Sequence, residues 1–162
     1  SLDVLESMGA SIQIEPSGEG IEPSGNITVK SSSLHGTEIG GDLIPRLIDE
    51  LPVIAVAAAF AEGRTVIRDA EELKVKESNR IDAMERELRK AGVDVHSTED
   101  GLIIDGGRPV CGGSFESYGD HRIAMSMSVL ALAAEGESRI ENPQCINISY
   151  PQFFETLQKI RR

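Results

Sequence analysis

A repeated order of secondary-structure patterns limits the folds open to this chain more than any other feature of its sequence. The triplet Ala-Glu-Gly occurs at residues 61–63 and again at 134–136, each time directly after a long, mostly apolar segment. Ile67 and Ile140 keep the same 73-residue offset. Repeats with one order of elements are typical of supersecondary units that stack and bury a common core. We therefore expect a fold built from repeated units.

The hydrophobic pattern assigns the elements of each repeat. Segment 48–62 is apolar on nearly all sides and predicts a buried helix, whereas segment 79–91 has the apolar spacing of an amphipathic helix. The other predicted helices are 2–8, 122–134 and 151–160. A Gly/Pro/Ser-rich loop at 16–25 predicts a hairpin turn. The predicted strands are 10–15, 26–30, 34–39, 64–69, 93–96, 102–105, 110–117 and 137–141.

These elements follow the order strand, buried helix, strand, amphipathic helix and β-hairpin, which is a βαβαββ unit. We expect residues 34–106 to form one complete unit, residues 1–33 to be the tail of an earlier unit, and residues 107–162 to be part of a later one. The predicted fold class is α/β (α+β). Two incomplete units indicate a single domain fragment of a longer protein.

Composition restricts the partners of the chain. Its formal net charge is -11, which argues against general affinity for nucleic acids or anionic membranes. The longest apolar run, residues 53–61, is far shorter than the roughly 20 residues of a membrane span. Cys111 and Cys145 have neither metal-binding nor redox spacing, so we expect buried thiols in a cytoplasmic protein.

Cations stand where a helix begins, which needs a physical reason in so acidic a chain. Lys74, Lys76 and Arg80 lie at or just before the start of predicted helix 79–91. The N-terminus of a helix is its positive pole, so cations there are mildly destabilising unless an anion sits between them. A solvated charged face is the alternative, but the placement favours an anion site.

A second helix start has the same character. Asp120 is a suitable N-cap for predicted helix 122–134, and it leaves His121 and Arg122 at the positive pole. Chemistry on a bound polyanion also needs carboxylates that move protons, and Asp49 and Glu77 are the candidates. Asp49 could instead be a simple helix cap, and the sequence leaves open which carboxyl is acid and which is base.

Two segments resemble a known family. Residues 73–81, Leu-Lys-Val-Lys-Glu-Ser-Asn-Arg-Ile, resemble the R-V-K-E-S/T-D-R signature of 5-enolpyruvylshikimate-3-phosphate (EPSP) synthases. Residues 118–125, Tyr-Gly-Asp-His-Arg-Ile-Ala-Met, resemble their G-D-H-R-x-A-M signature. Residues 48–50 and 149–151 are also similar to that family. The resemblance covers essentially the whole chain but only the C-terminal part of the family's sequence.

The resemblance implies an enolpyruvyl transferase-like fold, an α/β prism or inside-out barrel of βαβαββ units, with the active site between two such domains. It implies transfer of the enolpyruvyl group of phosphoenolpyruvate to the 5-hydroxyl of shikimate 3-phosphate, through a tetrahedral intermediate and without metal or organic cofactor. The N-terminal domain would then be the missing partner, and we expect this chain alone to be inactive.

The resemblance also implies residue roles. Asp49 is similar to the aspartate that contacts shikimate 3-phosphate and transfers protons, and Lys76 and Glu77 resemble the family's substrate-binding lysine and second acid–base residue. Arg80 and Arg122 resemble the phosphoenolpyruvate-binding arginines. The histidine beside them corresponds to His121, and Asp120 would position these side chains.

Some residues depart from the family pattern. Ile148 stands where many members have a lysine, Asn79 replaces a common aspartate, and Lys74 replaces a common arginine. Two alternatives remain at this point. One is an enzyme like UDP-N-acetylglucosamine enolpyruvyl transferase, which shares the fold and chemistry, and the other is a non-catalytic module of the same fold.

Overall fold

The computed structural model describes residues 1–17 and 24–160. The strands are β1 (Ser11–Pro16), β2 (Gly25–Lys30), β3 (Glu38–Ile39), β4 (Gly63–Ile67), β5 (Asp94–Ser97), β6 (Leu102–Gly106), β7 (Ser114–Glu116) and β8 (Arg139–Glu141). The α-helices are α1 (Leu2–Ser7), α2 (Ile44–Leu47), α3 (Leu51–Phe60), α4 (Arg80–Lys90), α5 (His121–Ala133) and α6 (Phe153–Ile160). Short 3-10 helices cover Gly41–Leu43, Glu71–Val75 and Pro143–Ile148.

A four-stranded sheet with the order β3-β4-β6-β5 forms the centre of the fold. Strand β3 runs parallel to β4, whereas β6 pairs antiparallel with both β4 and β5. Along the chain the elements β3, α3, β4, α4, β5 and β6 follow one another in the βαβαββ order that the sequence predicts. The unit boundaries at residues 33/34 and 106/107 stay a prediction.

The repeat is visible in the backbone as well as in the letters. Strand β7 runs parallel to β8, as β3 does to β4. A Cβ atom on Gly36 would lie 2.1 Å from the carbonyl oxygen of Arg64, and one on Gly112 would lie 2.3 Å from that of Glu137. Both repeats therefore require a glycine at the same backbone crossing.

Two predicted strands are longer than the regular pairing. In segment 34–39 only Glu38–Ile39 forms a ladder, and His35 makes an isolated bridge. In segment 110–117 the ladder is Ser114–Glu116, with a bridge at Cys111. An alternating pattern reports which side chains are buried, and it does not require continuous pairing. The antiparallel pair β1–β2 agrees with the predicted hairpin strands, while most of the predicted turn, residues 18–23, lies outside the described residues.

The helices pack as their patterns predict, with one exception. On α4 the residues Ile81, Met84 and Leu88 are at most 1% exposed. The pattern of α6 predicts an inward face of Phe153, Phe154, Leu157 and Ile160, but only Phe153 is buried. Helix α6 packs mainly through its first turn, because Phe153 joins a small apolar cluster with Ala124, Cys145 and Ile146.

The thiols are not both buried. Cys145 is buried, but Cys111 is exposed, so the expectation of two buried thiols was wrong for Cys111. Within residues 1–17 and 24–160, no helix is both long and apolar enough to cross a membrane.

Candidate active site

Arg80 is the centre of the candidate site. It is the first residue of α4, and its side chain is only 1% exposed. A buried guanidinium is stable only when its N–H groups are paired. Three carboxylates from different parts of the chain supply that pairing, so the folded chain brings together residues that are up to 71 positions apart.

Each carboxylate binds a different part of the guanidinium. The Nε atom donates to Asp120 Oδ2 at 2.8 Å, Nη1 to Asp49 Oδ1 at 2.9 Å, and Nη2 to Glu77 Oε2 at 2.7 Å. A longer contact of 3.4 Å joins Nη2 to Asp120 Oδ1. Asp120 is fully buried, whereas the side chains of Asp49 and Glu77 are 47% and 49% exposed. Arg80 thus binds one internal carboxylate and two that face solvent.

Helix caps fix the two ends of this arrangement. Asn79 caps α4 by accepting the backbone N–H of Asp82 at 3.3 Å. Asp120 caps α5 by accepting the backbone N–H of Arg122 at 2.8 Å, which confirms the predicted N-cap. The same Asp120 carboxylate accepts from Arg80. One buried side chain therefore sets the start of α5 relative to the start of α4.

These bonds control the charges of the site. The hydrogen bond from Arg80 is the main cause that lowers the pKa of Asp49, against the effect of burial, with further help from Arg122 and Lys76. Burial raises the pKa of Asp120, but the bond and charge of Arg80 and the backbone N–H of Arg122 outweigh it, so that this pKa is also lowered. Burial lowers the pKa of Arg80, and its carboxylate partners reverse that shift. Asp49 and Asp120 are therefore anions at neutral pH.

Arg122 lies beside the cluster but is held loosely. Its Nη2 atom is 3.8 Å from Asp49 Oδ2, and its Nη1 atom is 3.9 Å from Glu50 Oε1. Its Nε atom is buried and has no hydrogen-bond partner within the described part of the chain. Its side chain is 33% exposed. Arg122 is consequently a cation with binding capacity left, next to the ionised Asp49.

The other basic residues that the sequence predicts for the site do not all lie in it. Lys76 pairs with Glu72, and its positive charge also helps to lower the pKa of Asp49. Lys74 donates to the backbone carbonyl of Glu99 instead and does not join the cluster. His121 is the first residue of α5 and is partly buried.

Sequence reasoning missed several supporting residues. Ser78 donates its hydroxyl to Asp120 Oδ2 at 3.0 Å, and its position inside the 73–81 motif was the only available signal. Glu87, Glu116 and Tyr118 form a connected set of hydrogen bonds behind the start of α5. A buried glutamate on an amphipathic helix could have marked Glu87, but its partners lie in another segment.

The arrangement suits an anionic ligand and proton transfer. It combines the loosely held Arg122, the partly exposed Lys76 and two half-exposed carboxylates. The pKa of one of these carboxylates, Asp49, is lowered from its ordinary value. Among residues 1–17 and 24–160, no group of three or more His, Cys, Asp or Glu side chains is placed to hold a metal ion.

Comparisons with known proteins identify the family of the chain. The family model described as EPSP synthase (3-phosphoshikimate 1-carboxyvinyltransferase) matches residues 1–157. A 3-phosphoshikimate 1-carboxyvinyltransferase from Bacillus cereus is 55% identical over 99% of this chain and 38% of its own length. One from Desulforamulus reducens is 56% identical over 98% of this chain and 37% of its own length.

Solved structures show the same relationship. An EPSP synthase from Acinetobacter baumannii has a TM-score of 0.91 and 40% identity, and the match covers 98% of this chain and 38% of that one. The enolpyruvyl transferase NikO from Streptomyces tendae has a TM-score of 0.71 at 23% identity over 98% of this chain and 34% of that one, which supports the fold alone.

The chain thus spans well under half the length of these relatives. The predicted enolpyruvyl transferase-like fold and the predicted family are both confirmed. The chain belongs to the EPSP synthase family.

Proposed function

We propose that this chain supplies the C-terminal part of the active site of a 3-phosphoshikimate 1-carboxyvinyltransferase. The reaction transfers the enolpyruvyl group of phosphoenolpyruvate to the 5-hydroxyl of shikimate 3-phosphate and releases phosphate. The observation that carries the proposal is the presence of two different arginines beside the ionised Asp49, a buried Arg80 bound by three carboxylates and a loosely held Arg122. The names of the relatives support the same activity.

Asp49 is the proposed general base. It is ionised because Arg80 lowers its pKa, and its half-exposed side chain is accessible to a substrate hydroxyl. In the reaction, the hydroxyl oxygen bonds to C2 of phosphoenolpyruvate, its proton goes to the base, and a proton adds to C3. Phosphate then leaves from C2 as a proton leaves C3. Glu77 is the proposed second proton-transfer group, since it accepts a hydrogen bond from the same guanidinium that binds Asp49.

Lys76, His121 and Arg122 are the proposed anion-binding groups. Arg122 is the strongest of these candidates, because its Nε and Nη atoms lack close partners among the described residues. Arg80 is different, since the four contacts given above engage every N–H except one on Nη1. A contact between Arg80 and phosphoenolpyruvate would therefore use that N–H or displace Asp49 or Glu77.

We also propose the partner and the setting of the chain. The N-terminal domain would complete the cleft, so that the isolated chain binds substrates weakly and turns over negligibly. Residues 34–106 would be one βαβαββ unit between two partial ones. The unpaired Cys111 and Cys145 suit a reducing cytoplasm.

A chimera tests the function. This chain would replace the matching 38% of the Bacillus cereus enzyme, and phosphate release would be measured with both substrates. We expect release that needs both phosphoenolpyruvate and shikimate 3-phosphate, and a loss of about 10²-fold or more for Asp49→Asn. A folded chimera without turnover would instead favour a non-catalytic module. Turnover with UDP-N-acetylglucosamine in place of shikimate 3-phosphate would favour the sister enzyme.

A further inference from the structure

Glu87 is a fully buried carboxylate to which the proposed reaction assigns no role. Its Oε1 atom accepts the hydroxyl of Tyr118 at 2.7 Å. Its Oε2 atom accepts the backbone N–H of Glu116 at 3.0 Å and the ammonium group of Lys90 at 2.9 Å. A carboxylate is costly to bury, and these three bonds stabilise the charge and hold the Glu87 side chain in one position.

Two of these bonds reach the segment that precedes the anion-binding residues His121 and Arg122. We call residues 116–120 the α5 turn, because they join β7 to α5. Arg80 and Glu87 are seven residues apart on α4, so they lie on one face, two helical turns apart. Arg80 binds Asp120 at one end of the α5 turn, and Glu87 binds Glu116 and Tyr118 near the other end. Helix α4 therefore holds the turn at two points.

The α5 turn needs such support because of its backbone. Tyr118 has a φ of 56° and Gly119 has a φ of 70°, so two successive residues are left-handed. This conformation is unfavourable for a tyrosine and persists only when surrounding contacts enforce it. The Glu116 carboxylate adds to the enforcement by accepting the backbone N–H groups of Ser117 at 3.0 Å and Tyr118 at 3.2 Å.

The Tyr118 hydroxyl is a dependable donor in this network. Burial, together with the bond to Glu87, raises the pKa of Tyr118 to about 12. The hydroxyl is therefore protonated at neutral pH. Because Asp120 caps α5 through the backbone N–H of Arg122, any shift of the α5 turn also moves the Arg122 guanidinium.

We propose that Glu87, acting through the Tyr118 hydroxyl, is a positioning residue that fixes Asp120, His121 and Arg122 in the geometry that binds the anionic substrate. This inference rests on the proposed function for the identity of that anion, which is phosphoenolpyruvate. Glu87 contacts no substrate itself, and its effect passes through the α5 turn. Its removal is expected to loosen the turn.

Matched variants separate positioning from general stability. Tyr118→Phe removes one hydroxyl, and Tyr150→Phe removes an exposed hydroxyl that bonds Thr156 at 3.1 Å. Glu87→Gln removes the buried charge, and Glu85→Gln removes a charge on the same helix that pairs with Arg89. Each variant would be made in the chimera described above and titrated with phosphoenolpyruvate by NMR, well below its unfolding temperature. Hydrogen exchange of the Arg122 amide would be measured in the same samples.

We expect Tyr118→Phe and Glu87→Gln to weaken phosphoenolpyruvate binding roughly 10-fold and to speed exchange of the Arg122 amide by a similar factor. The amide of Val95 in β5 should be unaffected, and both control variants should stay within about twofold of the parent chain. Unchanged binding by a folded Tyr118→Phe chain would overturn the inference even if Glu87→Gln failed to fold.

The two proposals fail in different ways. If the parent chimera does not bind phosphoenolpyruvate at all, the proposed ligand is wrong for this site, while the Arg122 amide still reports on the turn. Unchanged exchange of that amide in Tyr118→Phe would show that Glu87 does not hold the turn. Faster exchange would leave the positioning role standing for whichever anion the site takes.

Discussion

Arg80 and Arg122 occupy similar places in the sequence and very different places in the structure. Each lies in the first turn of a helix, α4 or α5, and each has a neighbouring acidic cap or partner. Arg80 is 1% exposed and makes bonds of 2.7 to 2.9 Å to three carboxylates. Arg122 is 33% exposed, and its nearest carboxylates are 3.8 and 3.9 Å away.

The difference teaches how a site can use the same residue type twice. A cation at the positive pole of a helix needs an anion. The protein itself supplies that anion for Arg80, which makes this residue part of the framework and sets the charge of Asp49. For Arg122 the need is only partly met, which leaves it available to a ligand. Variants of the two arginines should therefore affect different properties.

The largest expected effect is on stability, from Arg80→Ala. This change leaves Asp120 as a buried carboxylate without its main partner. Breaking a buried ion pair from one side costs about 3–5 kcal/mol. Chemical denaturation would measure the free energy of unfolding, and Arg139→Ala, which removes a 78% exposed arginine, is the matched control. Equal losses for Arg80→Ala and Arg139→Ala would contradict the framework role.

The second effect is on ligand affinity, from Arg122→Ala. Because the carboxylates of Asp49 and Glu50 lie 3.8 and 3.9 Å from Arg122, too far for hydrogen bonds, we expect its removal to change the free energy of unfolding by less than about 1 kcal/mol. Loss of hydrogen bonds to a charged ligand costs about 1.5–3 kcal/mol, so the Kd for phosphoenolpyruvate should rise roughly 10-fold or more. NMR titration measures both the affinity and the residues that respond. A normal Kd in this variant would remove Arg122 from the binding site.

The sequence predicts the described α-helices other than α2, and it places the candidate site at two helix starts, because both inferences depend on local patterns. The apolar spacing of α4, the cap at Asp120 and the clustering of charge at helix starts are all visible in the letters. The distinction between Arg80 and Arg122 is not visible there. It depends on contacts such as that between Arg80 and Asp120, which are 40 residues apart. Lys74 and Lys76 differ in the same way, since Lys74 donates to the backbone carbonyl of Glu99, whereas the charge of Lys76 helps to lower the pKa of Asp49.

Acid should weaken the framework through Asp120. The pKa of Asp120 is lowered in the folded chain from an ordinary value of 3.8, so its stabilising effect is complete above that value and is lost as the pH falls below it. Asp120→Asn removes this titrating group, so the unfolding free energy should depend less steeply on pH in the acidic range. The slope should fall by up to about 1.4 kcal/mol per pH unit, the contribution of one proton. Unfolding curves between about pH 6 and 2.5 would measure this. Asp3→Asn, at an exposed position, is the control, and its slope should equal that of the parent chain.

The smallest expected effect comes from adding a cation at position 148. Ile148 is 80% exposed and ends the 3-10 helix that packs against α5. Ile148→Lys should leave stability unchanged, because no buried contact is lost. It should tighten phosphoenolpyruvate binding only about two- to fivefold, since an exposed charge is worth less than about 1 kcal/mol and is screened by salt. Ile148→Met is the uncharged control, with Kd measured at low and high ionic strength. Tighter binding that persists at high salt, or that Ile148→Met reproduces, would show that charge at this position is not the cause.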